Sequence, residues 1–148
     1  MRNTVIAILL FFGLSAEKCN QPPQHLVALT LTQTEAYCGG AMPPPELIKD
    51  LATPKPYTGA KVYVYGDGLI CLDSISATDT NYENRLNTGH YTIRLVSKLE
   101  DLETIQGEEQ RCLTAFNQRI LSMFDVLGDT TLIANLYFGC NPCLPPPP

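Results

Sequence analysis

The sequence lacks several features that whole classes of protein require. It has no tryptophan, two histidines and no cluster of lysine or arginine residues, so nothing in it favours nucleic-acid binding. No Gly-x-Ser-x-Gly, His-Glu-x-x-His or phosphate-binding glycine loop occurs, which leaves the common hydrolase, zinc-protease and nucleotide-binding motifs unrepresented. The formal net charge of −5 is ordinary for a soluble exported domain.

The N-terminal segment predicts export. Thr4 to Leu14 is almost wholly apolar and follows the single charge of Arg2, and a basic start, an apolar run and small exit residues are typical of a cleavable signal, here residues 1–16. The run is shorter than the roughly 20 apolar residues that span a bilayer. Lipid anchoring at Cys19 is the alternative, but the preceding Glu17 and Lys18 are charged where a lipid-attachment motif requires small, apolar residues. We therefore expect a periplasmic, cell-surface or secreted protein without a transmembrane span.

The cysteines predict a covalent framework. All six lie beyond the predicted signal, and an even number of cysteines in an exported chain is typical of disulfides. Many alternative pairings are open, and the sequence does not select among them. The disulfide candidates are Cys19, Cys38, Cys71, Cys112, Cys140 and Cys143.

Alternation of apolar and polar residues predicts a mainly β domain. Short runs rich in β-branched and aromatic residues are separated by turns that contain Gly, Asn and Asp, and such spacing is typical of an antiparallel meander in a β-sandwich. A proline-rich loop at 33–45 precedes a predicted short helix at 46–51. The predicted strands are 25–32, 61–65, 69–77, 82–86, 90–96 and 130–138.

The spacing of apolar residues changes from alternation to helical spacing, which predicts a helical insertion at about 98–125, before the last strand. Ser97 and Glu100 resemble a capping box, and Cys112, Phe116 and Ile120 recur at helical spacing, followed by Met123 or Phe124. The expected organisation is a signal (1–16), an N-terminal extension with one strand and a proline-rich loop (17–55), a β-sandwich (56–139) and a Cys/Pro-rich tail (140–148).

Two segments carry a family resemblance. Pro56-Tyr57-Thr58-Gly59-Ala60-Lys61-Val62-Tyr63-Val64 and Leu86-Asn87-Thr88-Gly89-His90-Tyr91-Thr92-Ile93-Arg94-Leu95 resemble strand motifs of the carboxypeptidase regulatory-like, transthyretin-type (prealbumin-like) β-sandwich. Thr78-Asp79 followed by Tyr82 keeps part of the intervening family pattern, without its glycine. Tyr37-Cys38-Gly39-Gly40 with the late Cys-x-x-Cys is also similar to small exported proteins of Bacteroidota-type bacteria. The resemblance implies a fold and a location, but no chemistry.

Cys140-Asn141-Pro142-Cys143 is a short motif with a chemical interpretation. In thiol oxidoreductases such a pair lies at a helix N-terminus, which stabilises the thiolate; here a predicted strand precedes it and prolines follow. Structural disulfides are therefore favoured over a thiol-disulfide oxidoreductase. A zinc site that uses these two cysteines with Cys38 or Cys112 is a further alternative.

The other candidate residues point to binding rather than catalysis. Tyr63 and Tyr65 would form an aromatic binding strip unless the short helices cover them. Lys61 and Asn135 can be nominated for an isopeptide bond, and His90 is expected to be exposed on the strand face opposite Tyr91. The leading hypothesis is a non-catalytic exported module for binding or envelope structure, without a cofactor or metal, whose unidentified partner is a protein or a glycan. A thiol-disulfide oxidoreductase and a carbohydrate-binding module are the alternatives.

Overall fold

The computed structural model describes residues 24–76 and 81–143, which form two β-sheets, two α-helices and one short 3₁₀ helix. The predicted signal, Cys19, and residues 144–148 of the proline tail lie outside the described residues. The strands are β1 (Gln24–Glu35), β2 (Lys55–Pro56), β3 (Val62–Tyr65), β4 (Cys71–Ile75), β5 (Asn81–Asn87), β6 (Gly89–Arg94), β7 (Ser122–Val126) and β8 (Thr130–Phe138). The helices are α1 (Pro45–Ala52), α2 (Glu108–Asn117) and the 3₁₀ helix at Leu102–Thr104.

The first sheet is built around β1. Strands β5 and β2 pair antiparallel with it along one edge, and β8 pairs with the other edge, parallel to it, from Val27 opposite Thr130 to Glu35 opposite Phe138. The wholly antiparallel arrangement predicted from the sequence is therefore wrong for this pair. The parallel direction is possible because nearly the whole chain separates β1 from β8, so no tight turn has to join them.

The second sheet has the order β4-β3-β6-β7, with antiparallel pairs throughout. Strand β5 lies between β4 and β6 in the sequence but belongs to the first sheet. The chain thus changes sheets before and after β5, and the predicted meander of successive neighbouring strands is not what forms. The coarser prediction, a mainly β protein with two sheets and few helices, is confirmed.

The inward faces of the two sheets form one hydrophobic core. The predicted inward faces of β1 and β8 are confirmed, because Val27, Leu29 and Leu31 are buried and so are Ala134 and Leu136. Each large apolar side chain removed from water contributes roughly 1.5–3 kcal/mol, so this alternation fixes which face of each strand points inward. Further core residues are Tyr57, Val62, Val64, Ile75, Tyr82, Leu86, Tyr91, Ile93, Leu121 and Val126.

The predicted helix at 46–51 is confirmed as α1, and Pro45 occupies its first turn. The predicted helical insertion is only partly right. Helix α2 ends at Asn117, and Met123 and Phe124 lie in β7 rather than on a helical stripe. The proposed capping box at Ser97 does not begin a helix; instead the side chain of Asp101 caps the 3₁₀ helix by accepting a hydrogen bond from the backbone of Glu103.

The molecule has two contrasting ends. At one, β1 and β8 finish side by side at Glu35 and Phe138; because both disulfides lie just beyond, we call it the cystine end. At the other end, β1 begins beside the end of β5. The connections β3–β4, β5–β6 and β7–β8 also lie there, and we call it the turn end. The candidate site lies at the cystine end.

Candidate binding groove

A groove of about 370 Å³ lies between α1 and the outer face of the first sheet. Its volume falls at the lower end of the roughly 300–1,000 Å³ typical of ligand pockets. Apolar and aromatic side chains dominate it, with a few polar groups. Its lining residues are Thr34, Glu35, Ala36, Tyr37, Ile48, Leu51, Ala52, Pro54, Asn135 and Tyr137; we call it the tyrosine groove.

Its two tyrosines share a local sequence pattern, Tyr-x-Gly. The ring of Tyr37 folds over the backbone of Gly39, where a Cβ atom would lie 2.1 Å from the tyrosine oxygen. A Cβ at Gly139 would lie 3.4 Å from the ring of Tyr137, a tight contact. The glycine that follows each tyrosine by two residues has no side chain, and this leaves room for the tyrosine ring at the strand end.

Both tyrosines are also held at the backbone. Tyr37 directly precedes Cys38, which forms a disulfide with Cys140 across the parallel strand ends. The N–H of Tyr137 donates a hydrogen bond of 3.1 Å to the carbonyl of Leu121. The rings are nevertheless accessible, since Tyr37 is 36% and Tyr137 is 56% exposed. Fixed backbones with exposed rings suit the recognition of a ligand, because little order is lost on binding.

The floor of the groove is a short polar ladder on the outer face of β1 and β8. The side-chain amide of Asn135 donates to the hydroxyl of Thr34, and the hydroxyl of Thr32 donates to the Asn135 carbonyl oxygen. Thr34 is buried although it points outward, and it lines the groove together with Leu51 of α1. Lys61 precedes β3 of the second sheet, whereas Asn135 lies on β8 of the first, and the nominated isopeptide pair stays a prediction.

Helix α1 supplies the apolar wall of the groove. It is amphipathic, yet none of its residues is buried, and Ile48 is 50% exposed. Helix formation here follows from Pro45 in the first turn, Glu46 at the positive end and Lys49 near the negative end. An apolar stripe that a folded chain leaves half exposed is a candidate contact surface.

The predicted disulfide framework is borne out for four of the six cysteines. Cys38 pairs with Cys140 and Cys112 with Cys143, with Cα–Cα distances of 5.4 and 5.7 Å that suit disulfide geometry. Cys71 has no cysteine partner within residues 24–76 and 81–143. Cys19 lies outside the described residues, so its pairing stays a prediction.

These pairings bear on two chemical hypotheses. Cys140 and Cys143 bind different partners rather than each other, so they are not the redox pair that an oxidoreductase of this type would need. The zinc hypothesis used Cys140 and Cys143 with Cys38 or Cys112, and each of these cysteines lies in a disulfide. Among the described residues, no group of three potential metal ligands is found.

The predicted strip of Tyr63 and Tyr65 does not form. A register shift between Val64 and Tyr65 accompanies the burial of Tyr65, which is 1% exposed. Its hydroxyl donates to the carbonyl of Val96 at 2.8 Å, the Arg94 guanidinium lies over its ring, and burial raises its pKa. A β-bulge redirects side chains in this way. The carbohydrate-binding hypothesis relied on this strip, of which Tyr65 is not accessible to a ligand.

At the turn end, His25 lies between Thr88 and Asp129. Its Nε2 is 3.1 Å from the Thr88 hydroxyl, and its Nδ1 is 3.7 Å from the Asp129 carboxylate. This order resembles a catalytic triad, but the Asp129 oxygen already accepts the backbone N–H of Leu26 at 2.9 Å. The histidine–carboxylate distance is too long for a hydrogen bond, and Thr88 is exposed on a turn. The cluster ties β1 to two turns.

His90 is exposed, as predicted from its place opposite Tyr91. Its Nδ1 contacts the carboxylate of Asp125 across the β6–β7 pair. Hydrogen bonding to that carboxylate, together with its negative charge, raises the pKa of His90 above the ordinary value of 6.5. The pair therefore carries opposite charges over a wider pH range than an isolated histidine would allow.

Sequence reasoning missed the groove because its parts are about a hundred residues apart. The repeated Tyr-x-Gly beside Cys38 and Cys140 was the available signal, but only the fold places the two copies together. Comparison with known proteins adds no relative: no protein-family model, no curated protein and no solved structure matches this chain.

Proposed function

We propose that this protein is an exported, non-catalytic binding module whose site is the tyrosine groove. The observation that carries the proposal is a pair of exposed tyrosine rings, Tyr37 and Tyr137, fixed at their backbones beside the apolar wall of α1. Grooves lined by aromatic rings recognise extended, proline-containing peptide segments, which lose little conformational freedom on binding. We therefore assign an extended, proline-containing peptide segment as the ligand class.

Export is supported by the covalent chemistry. Two disulfides in a chain of this size are typical of proteins outside the reducing cytosol. No helix in the described part of the chain is long and apolar enough to cross a membrane. The signal at 1–16, on which the proposal of export also depends, lies outside the described residues.

Membership of the carboxypeptidase regulatory-like, transthyretin-type family is part of the proposal. Its support is the place of the two motifs: Val62–Tyr65 forms β3, and Gly89–Arg94 forms β6 beside it in the second sheet. The parallel pairing of β8 with β1 is the feature that a solved relative should share. Finding a relative with a different strand order would count against this assignment.

The proposed function is tested by titrating the ¹⁵N-labelled chain with a hexaproline peptide at millimolar concentration and following backbone amide shifts. We expect shifts at Tyr37, Ile48 and Tyr137. The substitution Tyr137→Leu should weaken binding about fivefold or more, because an aromatic contact contributes roughly 0.5–1.5 kcal/mol beyond its burial. Tyr63→Leu, on a half-buried tyrosine of the other sheet, is the matched control and should leave the affinity unchanged.

Two results would contradict the proposed function. One is an absence of shifts at the groove residues when the parent chain is titrated. The other is equal weakening by Tyr137→Leu and Tyr63→Leu, which would indicate a general structural effect rather than contact in the groove.

A further inference from the structure

The Cys38–Cys140 disulfide is the more accessible of the two described disulfides. Both of its cysteines are exposed, whereas Cys112 and Cys143 are half-buried. Exposed disulfides have higher reduction potentials than enclosed structural ones and are more readily reduced. A reductant in solution should therefore reduce Cys38–Cys140 before it reduces Cys112–Cys143.

Both sulfur atoms of this disulfide also lie near backbone acceptors. The Cys38 sulfur is 3.4 Å from the carbonyl oxygen of Ala36, and the Cys140 sulfur is 3.4 Å from that of Tyr37. A disulfide sulfur carries no proton, but each thiol formed by reduction can donate to the carbonyl beside it. Contacts that stabilise the reduced form make a disulfide easier to reduce. The local structure therefore favours an equilibrium in which this bond can open.

The disulfide lies beyond the last backbone hydrogen bond between β1 and β8. That bond, of 2.9 Å, runs from the N–H of Ala36 to the carbonyl of Phe138. Residues 37–44, all of which the structure describes, make no backbone hydrogen bond to another strand, and Met42 among them is 95% exposed. Tyr37 is thus held between one ladder bond at Ala36 and the disulfide at Cys38.

The same disulfide anchors the loop that leads to α1, which carries the opposite wall of the groove. The C-terminal end of α1 has other attachments, because β2 pairs with β1 directly after it and the ammonium of Lys55 lies 2.7 Å from the carboxylate of Asp50. The N-terminal end is connected to the sheet through residues 37–44 and the disulfide. Opening the disulfide therefore releases Tyr37 and this end of α1, while the two sheets stay paired.

We propose that the Cys38–Cys140 disulfide is a redox switch for the tyrosine groove. In the oxidised chain the groove is assembled, and in the reduced chain Tyr37 and the N-terminal end of α1 are released, so that peptide affinity falls. This regulation rests on the proposed function, but the release itself requires no ligand and can be measured in the isolated chain.

The reductant is a dithiol, and the reaction is thiol–disulfide exchange. One thiolate of the dithiol attacks a sulfur of the disulfide, which breaks the S–S bond and forms a mixed disulfide. The second thiol of the dithiol then attacks the mixed disulfide and closes an S–S bond within the reductant. Two electrons and two protons pass to the protein, where Cys38 and Cys140 become thiols.

The first test is the selectivity of reduction. The folded full-length protein is treated with a limiting amount of dithiothreitol, quenched with acid, alkylated and analysed by peptide mass mapping. We expect alkylation at Cys38 and Cys140 while Cys112 and Cys143 remain linked. Equal reduction of the two disulfides, or earlier loss of Cys112–Cys143, overturns the proposal.

The second test follows the groove without a ligand. In the ¹⁵N-labelled chain, selective reduction should shift or broaden the amide signals of Tyr37 and Ile48 and leave those of β6 and β7 unchanged. Reoxidation should restore the original spectrum. Unchanged signals at Tyr37 and Ile48 overturn the switch. Loss of the dispersed signals throughout the chain also overturns it, because the disulfide would then hold the whole fold rather than the groove.

The third test measures affinity for hexaproline in both redox states. Reduction should weaken binding about threefold or more, because the released residues have to be ordered again when the peptide binds. The variant Cys38→Ser, Cys140→Ser should show the lower affinity with or without dithiothreitol. The matched control, Cys112→Ser with Cys143→Ser, should keep the response to dithiothreitol. The opposite behaviour of either variant overturns the proposal, and circular dichroism checks that each is folded.

The two proposals can fail separately. Equal hexaproline affinity in the oxidised and reduced chains overturns the switch and leaves the groove as a peptide site. Reversible release of Tyr37 and Ile48 on reduction, with no hexaproline binding in either state, supports redox control of the groove walls and contradicts the proposed binding function.

Discussion

The cystine end and the turn end of the sandwich are held together by different physics. At the cystine end, two disulfides and the stacking of Tyr57 on Phe138, with ring centres 6.0 Å apart, fix the chain. At the turn end, hydrogen bonds and two histidine–aspartate contacts join strands and turns. The end that carries the groove is the covalently fixed one, so the fold places its rigidity where a binding site needs preorganised side chains.

The difference follows from topology. Strands β1 and β8 are parallel, so both strands end at the same edge of the molecule. The strand ends there have no connecting turn to hold them, whereas at the turn end short connections join β3 to β4, β5 to β6 and β7 to β8. The Cys38–Cys140 disulfide replaces the missing turn by joining residues 102 positions apart.

Removing the disulfides should therefore have the largest effect on stability. Loss of Cys38–Cys140 through Cys38→Ser and Cys140→Ser should lower the free energy of unfolding by about 4.7 kcal/mol on the loop-entropy model, since it closes a long loop. Loss of Cys112–Cys143, with a separation of 31 residues, should cost about 3.7 kcal/mol on the same model. Urea unfolding of the two double variants measures both values.

Each double variant is the control for the other. Because both remove two thiols, their difference isolates the loop that each disulfide closes. If loss of Cys112–Cys143 were the more destabilising, the parallel strand ends would not be the part of the structure that most needs a covalent link, and the explanation from topology would be wrong.

The next prediction concerns a cross-link at the turn end. Cys71 begins β4, opposite Tyr65, at that end, and β1 starts there at Gln24, five residues after Cys19. The sequence-based prediction that all six cysteines pair leaves Cys19 for Cys71. Alkylation of the unreduced protein followed by peptide mass mapping should then find no free thiol and a peptide that joins residues 19 and 71.

The Cys71→Ser variant is the control, since it should expose one alkylatable thiol at Cys19. Recovery of Cys71 as a free thiol in the unmodified protein would contradict the pairing. It would also sharpen the comparison, because the turn end would then have no covalent link at all.

Local patterns in the sequence predicted the strands that alternate cleanly. In β1 and β8 every second side chain is apolar over most of the strand, and burial of that face outweighs other preferences. The range of α1 was also predicted, because Pro45 and the prolines at 54 and 56 limit it from both sides.

The β7 strand was missed because Cys112, Phe116 and Ile120 continue at helical spacing into Met123. The helix ends before Met123. Gln118 caps α2, and Arg94 of β6 donates to the Gln118 carbonyl. The following strand, β7, pairs with β6. The contact with Arg94 and the pairing with β6 depend on a strand that is distant in the sequence, so no local period could reveal them.

The pairing of strands could not be predicted for the same reason. The packing of two sheets around one core decides which strands pair with β1. The parallel pairing with β8 and the place of β5 in the first sheet both depend on residues that are distant in the sequence. The groove depends on this pairing, since Tyr37 and Tyr137 meet only when β1 and β8 run side by side. Its residues were partly visible in the sequence, but their proximity was not.

The smallest expected effect tests the electrostatics of the turn end. The contact of His90 with Asp125 stabilises the protonated imidazole, so the pKa of His90 in the folded chain lies above its unfolded value of 6.5. The contribution to stability is complete below pH 6.5 and is lost as the pH rises through the folded pKa. Because both side chains are exposed, the decrease should be small, and added salt should reduce it further.

Nuclear magnetic resonance titration of the imidazole signals measures this pKa directly. The Asp125→Asn variant removes the charge but keeps the size of the side chain, so its His90 pKa should fall toward 6.5. Urea unfolding of His90→Gln should lack the part of the pH dependence that this pair contributes in the parent. An unchanged His90 pKa in Asp125→Asn would show that the contact does not hold β6 to β7 in solution, and the turn end would then depend on its backbone hydrogen bonds and on the His25–Asp129 cluster.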